Sequence, residues 1–301
     1  MNNIPILFIV FNRPDVTAKV WAEIKKAKPK KLYVACDGSR GKQDEDNCTK
    51  VRKIVKNVDW DCDVSYLFQS KNLGCGKAVS YAITWFFKNE ELGIILEDDC
   101  VPNQSFFSFC EELLLKYKNE SRVMCISGSN FQQEHSKETT YYFSRYPSSW
   151  GWATWRRAWE KYDFEMKSWT GNLNNMNFDK LEAEYFGDLF DSIKGKDFTW
   201  DFQWAYCCLI NNGLIVVPEV NLISNIGFSS NATHTKNVND IRSNIPVFSI
   251  GKIVHPKEII VDLKKDKYDF NHNFIGWKKR LLYIFPKPIR RLIRSIREIL
   301  K

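Results

Sequence analysis

The chain has 301 residues and a mass of 35.4 kDa; 44% of its residues are hydrophobic and 27% are charged. This composition is ordinary for a globular protein and excludes a disordered, collagen-like or disulfide-scaffold chain. The formal charge is +8, but nine basic residues and one acidic residue fall between Gly276 and Lys301, and the rest of the chain, with 35 of each sign, is neutral.

The N-terminal residues predict a buried strand rather than a targeting segment. The apolar run from Ile4 to Phe11 has no basic region before it and no small-residue cleavage site after it. The sequence has no run of about 18 apolar residues, so it predicts no transmembrane helix. The nine cysteines show neither a CxxC pair nor zinc-ligand spacing, and their odd number favours a reducing compartment. We expect a cytoplasmic protein.

The first 130 residues alternate short apolar runs with longer amphipathic stretches. This alternation predicts an α/β fold in which mostly parallel strands are covered by helices. The predicted strands are Pro5–Phe11, Lys31–Cys36, Val64–Phe68, Gly93–Glu97 and Val123–Ser127. The predicted helices are Asp15–Ala27, Gly76–Phe87 and Ser105–Tyr117.

After Ser127 the alternation is lost and aromatic residues become dense. The polar segment 167–179 predicts an active-site loop or lid. A helix over Thr199–Leu209 and a strand over Leu214–Val217 follow, and residues 231–273 show mainly turn and short-strand signals. We divide the chain into a body of residues 1–245, with halves 1–130 and 131–245, a connector of residues 246–275, and a C-terminal segment of residues 276–301.

Three consecutive acids follow the fourth predicted strand directly: Glu97, Asp98 and Asp99, here named the acidic tip. Ligands of open α/β sheets bind outside the carboxyl ends of the strands, so these side chains are expected to face a binding crevice. Carboxylate oxygens suit Mg²⁺ or Mn²⁺, which commonly share their coordination shell with substrate phosphates. The alternative is a solvent-exposed turn that happens to be acidic.

Two further strand ends carry polar residues. Arg13 follows the first strand and could pair with a phosphate, while Asp37 follows the second and could accept hydrogen bonds from a base or ribose. Each could also be structural, since Asp-Gly is a common turn and Arg-Pro-Asp a common helix start. Lys77 opens a helix after Gly74 and Gly76, where it could reach an anion. The segment does not match the P-loop motif. Its glycines are equally well explained by close packing of the helix.

These motifs occur in an order that resembles bacterial glycosyltransferases of the GT-A fold in surface polysaccharide assembly. The resemblance extends more distantly to the N-acetylglucosaminyltransferase I family. It covers residues 4–236, and the motifs that carry it are FNRPD, CDGS, NLGCGKAVSYAI, ILEDDCVP, SGSNF, WGWATWRRAW, WDFQWAY and SNIGFSSNATHT. The resemblance implies a GT-A catalytic domain over residues 1–245, whose halves bind the nucleotide and the sugars.

The resemblance also implies roles for individual residues. It makes the acidic tip a DXD-type motif in which Asp99 binds the metal and Glu97 and Asp98 contact the ribose and donor sugar. Arg13 and Asp37 match positions that hold the nucleotide, which is usually uridine. His234 matches a histidine near the diphosphate, where it could contact the metal or a phosphate; a solvated loop histidine is the alternative.

Asp201 matches the segment that supplies the catalytic base, although Phe202 stands where that family has a second acid. An acidic helix start is the structural alternative for Asp201. The loop of Trp150, Gly151 and Trp152 matches the one beside the donor sugar and acceptor. We expect both tryptophans to stack on sugars and the glycine to let the backbone approach the ligand. A plain aromatic core cluster is the alternative.

The reaction that these assignments imply is an inverting transfer of a sugar from a nucleotide diphosphate, UDP-sugar being favoured. The metal would stabilise the leaving diphosphate, and Asp201 would take the proton of the acceptor hydroxyl. The acceptor would be a glycan or a polyisoprenoid-linked glycan. One alternative is a sugar-phosphate nucleotidyltransferase, in which the sugar phosphate attacks the α-phosphate of a nucleoside triphosphate. The other is a non-enzymatic peripheral membrane module.

The C-terminal segment predicts a basic amphipathic helix. After Pro288 the apolar residues recur at helical spacing, with basic residues on most of the remaining surface. Such helices lie at the surface of anionic membranes, so we expect the protein at the inner face of the cell membrane. Docking on the protein's own body or on a partner is the alternative. Nucleic-acid binding is not expected, because the body is neutral.

Overall fold

The computed structural model describes residues 3–173, 178–228, 240, 242–290 and 292–293. Its centre is an eight-stranded mixed sheet of β1 (Ile6–Val10), β2 (Lys31–Cys36), β3 (Asp63–Phe68), β4 (Leu92–Glu97), β6 (Val123–Ser127), β7 (Tyr141–Ser144), β8 (Trp152–Trp155) and β9 (Leu214–Pro218). The order of these strands in the sheet is β3-β2-β1-β4-β8-β6-β9-β7. The short strands β5 (Cys100–Pro102) and β10 (Ile223–Asn225) form a separate antiparallel pair.

Helices cover both faces of the sheet. They are α1 (Pro14–Ala27), α2 (Lys42–Val55), α3 (Cys75–Asn89), α4 (Gln104–Lys116), α5 (Arg156–Trp159), α6 (Lys180–Ile193), α7 (Asp201–Ile210), α8 (Leu263–Asp269) and α9 (Gly276–Leu282). The chain is therefore a mixed α/β protein with a large, mostly parallel sheet flanked by helices, as the sequence predicted.

The side-chain alternation of the central strands produces two cores. In β1, Ile6, Phe8 and Val10 pack with α1, α2 and α4 on one face, whereas Leu7 and Ile9 pack with α3, α5 and α7 on the other. A strand buried on both faces has to be apolar at every position, which explains why the N-terminal run is continuous. A third cluster joins α6 to α7 and to the six-residue π-helical segment Phe270–Ile275.

The second half of the sheet was harder to predict. β8 lies between β4 and β6 and is antiparallel to both, so the simple parallel alternation ends at β4. Helices α2 and α6 were not predicted, and the segment expected to hold turns and short strands contains α8 and the π-helical segment instead. Asp266 of α8 is fully buried and pairs with Arg145 at 2.7 Å, which fixes α8 against β7.

The C-terminal segment begins with α9 and packs on α6. Arg290 is 2% exposed, pairs with Glu184 at 2.6 Å and lies 3.3 Å from Asp188, while Lys287 lies 3.0 Å from Asp191. Two of the basic residues expected to face a membrane therefore face the protein body, because α6 presents carboxylates to them. The predicted helix after Pro288 lies largely outside the described residues. No helix among the described residues is both long and apolar enough to cross a membrane.

Candidate active site

A cavity of about 1130 Å³ opens at the carboxyl ends of β1, β2 and β4. These strands are parallel neighbours: Val10 is in register with Cys36, and Ile9 with Glu97. The residues that follow each strand therefore meet at one edge of the sheet, as the sequence predicted for Arg13, Asp37 and the acidic tip. Asp201, at the first position of α7, lines the same cavity.

The acidic tip lies at the junction between two sheets. Glu97 ends β4, and Asp98 and Asp99 form the turn into β5. Asp98 is 4% exposed, and Asp99 is held from the far side because the Ile226 N–H donates to its carbonyl oxygen at 2.9 Å. The acids are therefore half-buried or buried in the cavity wall, which contradicts the alternative of a solvent-exposed turn.

The guanidinium of Arg13 bridges the two aspartates. Its Nη2 donates to Asp98 Oδ1 in a short ion pair and to Asp99 Oδ2 at 2.9 Å. Its backbone is fixed independently, because the Thr17 N–H and hydroxyl both donate to the Arg13 carbonyl at 3.0 and 2.7 Å. Arg13 reaches the predicted cavity, but its partners in this structure are protein carboxylates.

Burial and mutual repulsion perturb these groups strongly. Desolvation, followed by the charges of Asp99, Asp98 and Asp201, raises the pKa of Glu97 well above its usual range. Desolvation also raises the pKa of Asp98, to about 6, against the opposing effect of Arg13. Burial alone would lower the pKa of Arg13, but the charges of Asp98 and Asp99 outweigh it and the pKa is raised. Ionisation of all three acids would therefore place more negative charge at the tip than one arginine offsets.

These observations fit a divalent cation at the acidic tip. The donors are hard carboxylate oxygens, and desolvated acids that repel one another gain from a doubly charged ion. The described residues contain no grouping of three or more His, Cys, Asp and Glu side chains that would hold a metal alone. Asp99, with Asp98 beside it, could hold Mg²⁺ or Mn²⁺ provided that phosphate oxygens complete the shell.

Asp37 has a structural task at the cavity rim. Its carboxylate accepts from the backbone N–H groups of Gly38, Leu73 and Gly74 at 2.8–3.2 Å and from the Asn72 side chain at 2.9 Å. The loop between β3 and α3 is thereby tied to the end of β2. Desolvation raises the pKa of Asp37 even though these N–H groups act to lower it. Contact with a base or ribose stays a prediction.

Asp201 lines the same cavity as the acidic tip, and its charge contributes to the raised pKa of Glu97. Thr199 Oγ1 donates to the Asp201 carboxylate in a short hydrogen bond. The preceding segment packs on the start of α3 at Gly76, where an added Cβ would lie 2.3 Å from the Asp197 carbonyl oxygen. The close helix-to-loop approach that only glycine permits therefore fixes where α7 begins. A carboxylate here could accept a proton from a bound hydroxyl.

The aromatic loop divides into one cavity residue and one core residue. Trp150 lines the cavity and has Phe131 and Phe228 edge-on at 5.5 and 5.6 Å. Trp152 is fully buried and stacks on Trp200 at 5.6 Å, so the expectation that it stacks on sugars is wrong. The reason is strand alternation: Trp152 begins β8 and points into the core beneath the sheet.

Gly151 and Lys77 also differ from expectation. Gly151 has a φ of +63°, and a Cβ there would lie 2.4 Å from Ile223 Cδ1, so this glycine is required for packing on β10 rather than for ligand approach. Lys77 pairs with Asp197 at 2.8 Å on the outer surface and is not among the cavity-lining residues. His234 lies outside the described residues.

The sequence did not point to Arg242 or Gly227. Arg242 lines the cavity, pairs with Asp240 at 2.7 Å and lies 5.9 Å from the centre of the Trp150 ring. Gly227 lies against Asp99, and a Cβ there would come within 1.9 Å of Asp99 Oδ2. Gly227 lies within one of the motifs that carry the family resemblance, but no short-range pattern marks either residue as functional. Both contact residues that are far away in the sequence.

Comparison with known proteins gave only structural matches. No protein-family model and no curated protein matches the chain. Two matching crystal structures are titled UDP-glucose pyrophosphorylase, one complexed with UDP-glucose and one apo. They are 10% and 11% identical over 72% of this chain and 90% of theirs, each with a TM-score of 0.36. A third, HddC from Yersinia pseudotuberculosis, is 9% identical over 55% of this chain and 84% of its own, with a TM-score of 0.33. None of these titles names a glycosyltransferase, so the resemblance to that class stays a prediction.

Proposed function

We propose that this protein is an enzyme acting on nucleotide sugars, and that its reaction is a metal-dependent, inverting transfer of a sugar from a nucleotide diphosphate to a glycan hydroxyl. The observation that carries the proposal is that the acidic tip and Asp201 face one cavity. An acid cluster beside a cation suits the diphosphate, and a separate carboxylate suits the acceptor.

Each group of the site has one task in this reaction. A cation bound at Asp99 would act as a Lewis acid on the leaving diphosphate. Asp201 accepts the acceptor proton, a contribution of about 10²–10⁴-fold in rate. Trp150 supplies an apolar face for a sugar ring, and Arg242 beside it supplies positive charge for a phosphate. Single displacement by the acceptor predicts inversion at the anomeric carbon.

The charge of the cavity supports sugar transfer over nucleotidyl transfer. The described lining residues include six acids and three arginines, and one of those arginines is bound to the acidic tip. Nucleotidyl transfer would bring a nucleoside triphosphate and a sugar phosphate together, far more negative charge than one diphosphate sugar carries. Its nucleophile is also an anion already, and so has no use for a base such as Asp201.

The second candidate is a sugar-phosphate nucleotidyltransferase. The matched pyrophosphorylase titles fit this activity better than sugar transfer. At these TM-scores the alignments say nothing about the reaction of this chain, so the assay has to distinguish the two. The purified chain is incubated with Mn²⁺ and UDP-glucose, with or without pyrophosphate, alongside a panel of other UDP-sugars and glycan acceptors.

Release of UDP with a glycosylated acceptor supports the proposal, whereas UTP formed from UDP-glucose and pyrophosphate establishes the second candidate. Within the first outcome, Asp99→Asn is expected to lose metal-dependent donor binding. Asp201→Asn is expected to keep donor binding and lose transfer. Asp197→Asn is the matched control, because this neighbouring carboxylate pairs with Lys77 at the surface. Equal loss of donor binding in both active-site variants would contradict the division of roles.

We also propose that the C-terminal segment docks on an anionic membrane through its apolar side. Arg290 and Lys287 pair inward with α6, while Leu281, Ile284, Phe285, Ile289 and Leu292 are 44–75% exposed. Lys279 and Arg280 are exposed beside them, and this combination suits an interfacial, anionic surface. The double variant I284S/F285S is expected to lose binding to phosphatidylglycerol vesicles, whereas Leu115→Ser, which alters an exposed leucine on α4, keeps it. Unchanged vesicle binding by the double variant would contradict the proposal.

A further inference from the structure

Arg13 and a divalent cation would compete for the same carboxylate group, that of Asp99. Arg13 Nη2 donates to Asp99 Oδ2 at 2.9 Å and makes a still shorter contact with Asp98 Oδ1. On its other side Asp99 Oδ2 is closed in by the backbone of Gly227, where even a Cβ would not fit. A cation that binds Asp99 Oδ2 would therefore meet the guanidinium there, and the repulsion between the two positive charges favours movement of Arg13 away from Asp99.

The geometry of Arg13 permits that movement. Its backbone is held by Thr17 and by Pro14, the first residue of α1, but its side chain is 31% exposed along the cavity wall. The long arginine stem lets the guanidinium change partners while the backbone stays in place. A diphosphate in the cavity would offer the guanidinium a new bidentate anionic partner.

We propose that Arg13 is the internal counter-ion of the acidic tip, bound to Asp98 and Asp99 until a divalent cation displaces it onto the diphosphate of the nucleotide. This inference rests on the proposed function and assigns Arg13 as a positioning residue. An unpaired buried charge is costly, so the clustered carboxylates need a positive partner when no ligand is bound. Arg13 supplies that partner.

The exchange has a thermodynamic consequence. Without nucleotide, cation binding is weakened because the cation has to break the ion pairs of Arg13. A nucleotide diphosphate gives the released guanidinium a new partner, so the cation and the nucleotide strengthen each other's binding. Coupling of this kind is reciprocal and typically amounts to about 5- to 150-fold in affinity. Removing the guanidinium should therefore strengthen binding of the cation alone and weaken the coupling.

The test measures Mn²⁺ binding to the full chain by electron paramagnetic resonance, without and with UDP. Arg13→Gln is expected to bind Mn²⁺ alone about tenfold more tightly than the wild type, and to show a smaller increase in Mn²⁺ affinity on adding UDP. Arg40→Gln is the matched control: Arg40 lines the same cavity but pairs with Asp44, so both quantities should stay at their wild-type values.

The outcomes separate this inference from the proposed function. Mn²⁺ affinity that is equal or lower in folded Arg13→Gln overturns the counter-ion role. Mn²⁺ affinity that is unaffected by Asp99→Asn overturns the metal site and with it the proposed function. A structural role for Arg13 alone would lower thermal stability without raising the affinity for Mn²⁺, and melting curves recorded on the same samples detect it.

Discussion

Substituting Gly227 by alanine tests whether the position of Asp99 matters to the site. The added methyl group would lie 1.9 Å from Asp99 Oδ2 and 2.9 Å from Asp99 Cβ, whereas ordinary contact begins at 3.4 Å. The carboxylate therefore has to withdraw by about 1.5 Å, the difference between 3.4 and 1.9 Å. The Asp99 backbone cannot follow freely, because its carbonyl oxygen accepts from the Ile226 N–H at 2.9 Å.

The expected effect is large for function and moderate for stability. Overpacking of this kind costs about 1–3 kcal/mol of unfolding free energy. A misplacement of about 1 Å at a reacting centre can cost about 10²-fold in rate. We therefore expect Gly227→Ala to remain folded, to bind Mn²⁺ at least about tenfold more weakly with UDP present, and to lose about 99% of sugar transfer.

The assays are Mn²⁺ titration with UDP, turnover of the UDP-sugar that the donor screen identifies, and a melting curve. Gly251→Ala is the matched control, because a Cβ at that position meets no atom within 4 Å. If Gly227→Ala and Gly251→Ala bound Mn²⁺ equally well and turned over at the same rate, the reasoning about Asp99 would be wrong.

Three other predictions concern the aromatic loop, the start of α3 and the end of α8. Trp152→Ala is expected to cost about 3–5 kcal/mol of stability in a urea titration because Trp152 is a core residue, whereas Trp150→Ala should weaken donor or acceptor binding with little loss of stability; the opposite pattern would contradict the assignment. Gly76→Ala should lower turnover more than Mn²⁺ binding, because its Cβ would displace the segment that positions Asp201. Desolvation raises the pKa of Asp269 to about 6, so the folded state holds a proton between about pH 4 and 6 that the unfolded state has released, and stability falls as pH rises through this window. Asp269→Asn should remove that fall, worth up to about 3 kcal/mol, and parallel stability profiles for variant and wild type would refute it.

The sequence determined much of the first half of the fold. Strands β1, β2 and β4 are largely buried, and β3 at the edge of the sheet is partly exposed. The boundaries of all four fall within one residue of the predicted ones. The carboxyl ends of parallel neighbours share an edge of the sheet, and this rule predicted that Arg13, Asp37 and the acidic tip lie together. Asp201, at a helix start, was predicted from the family resemblance alone. The other features depend on local composition and on a rule of topology.

The tertiary structure alone decided which partner each of these groups has. Arg13 meets Asp98 and Asp99 across about 85 residues of chain, and Arg290 meets Glu184 across 106. No short-range pattern reports such pairs, because the direction of a side chain depends on which distant element packs against it. The same reason separates Trp150 from Trp152: both are tryptophans of one loop, and only the insertion of β8 between β4 and β6 sends the second into the core. The sequence thus identified the candidate residues, whereas the tertiary packing decided which partners each of them contacts.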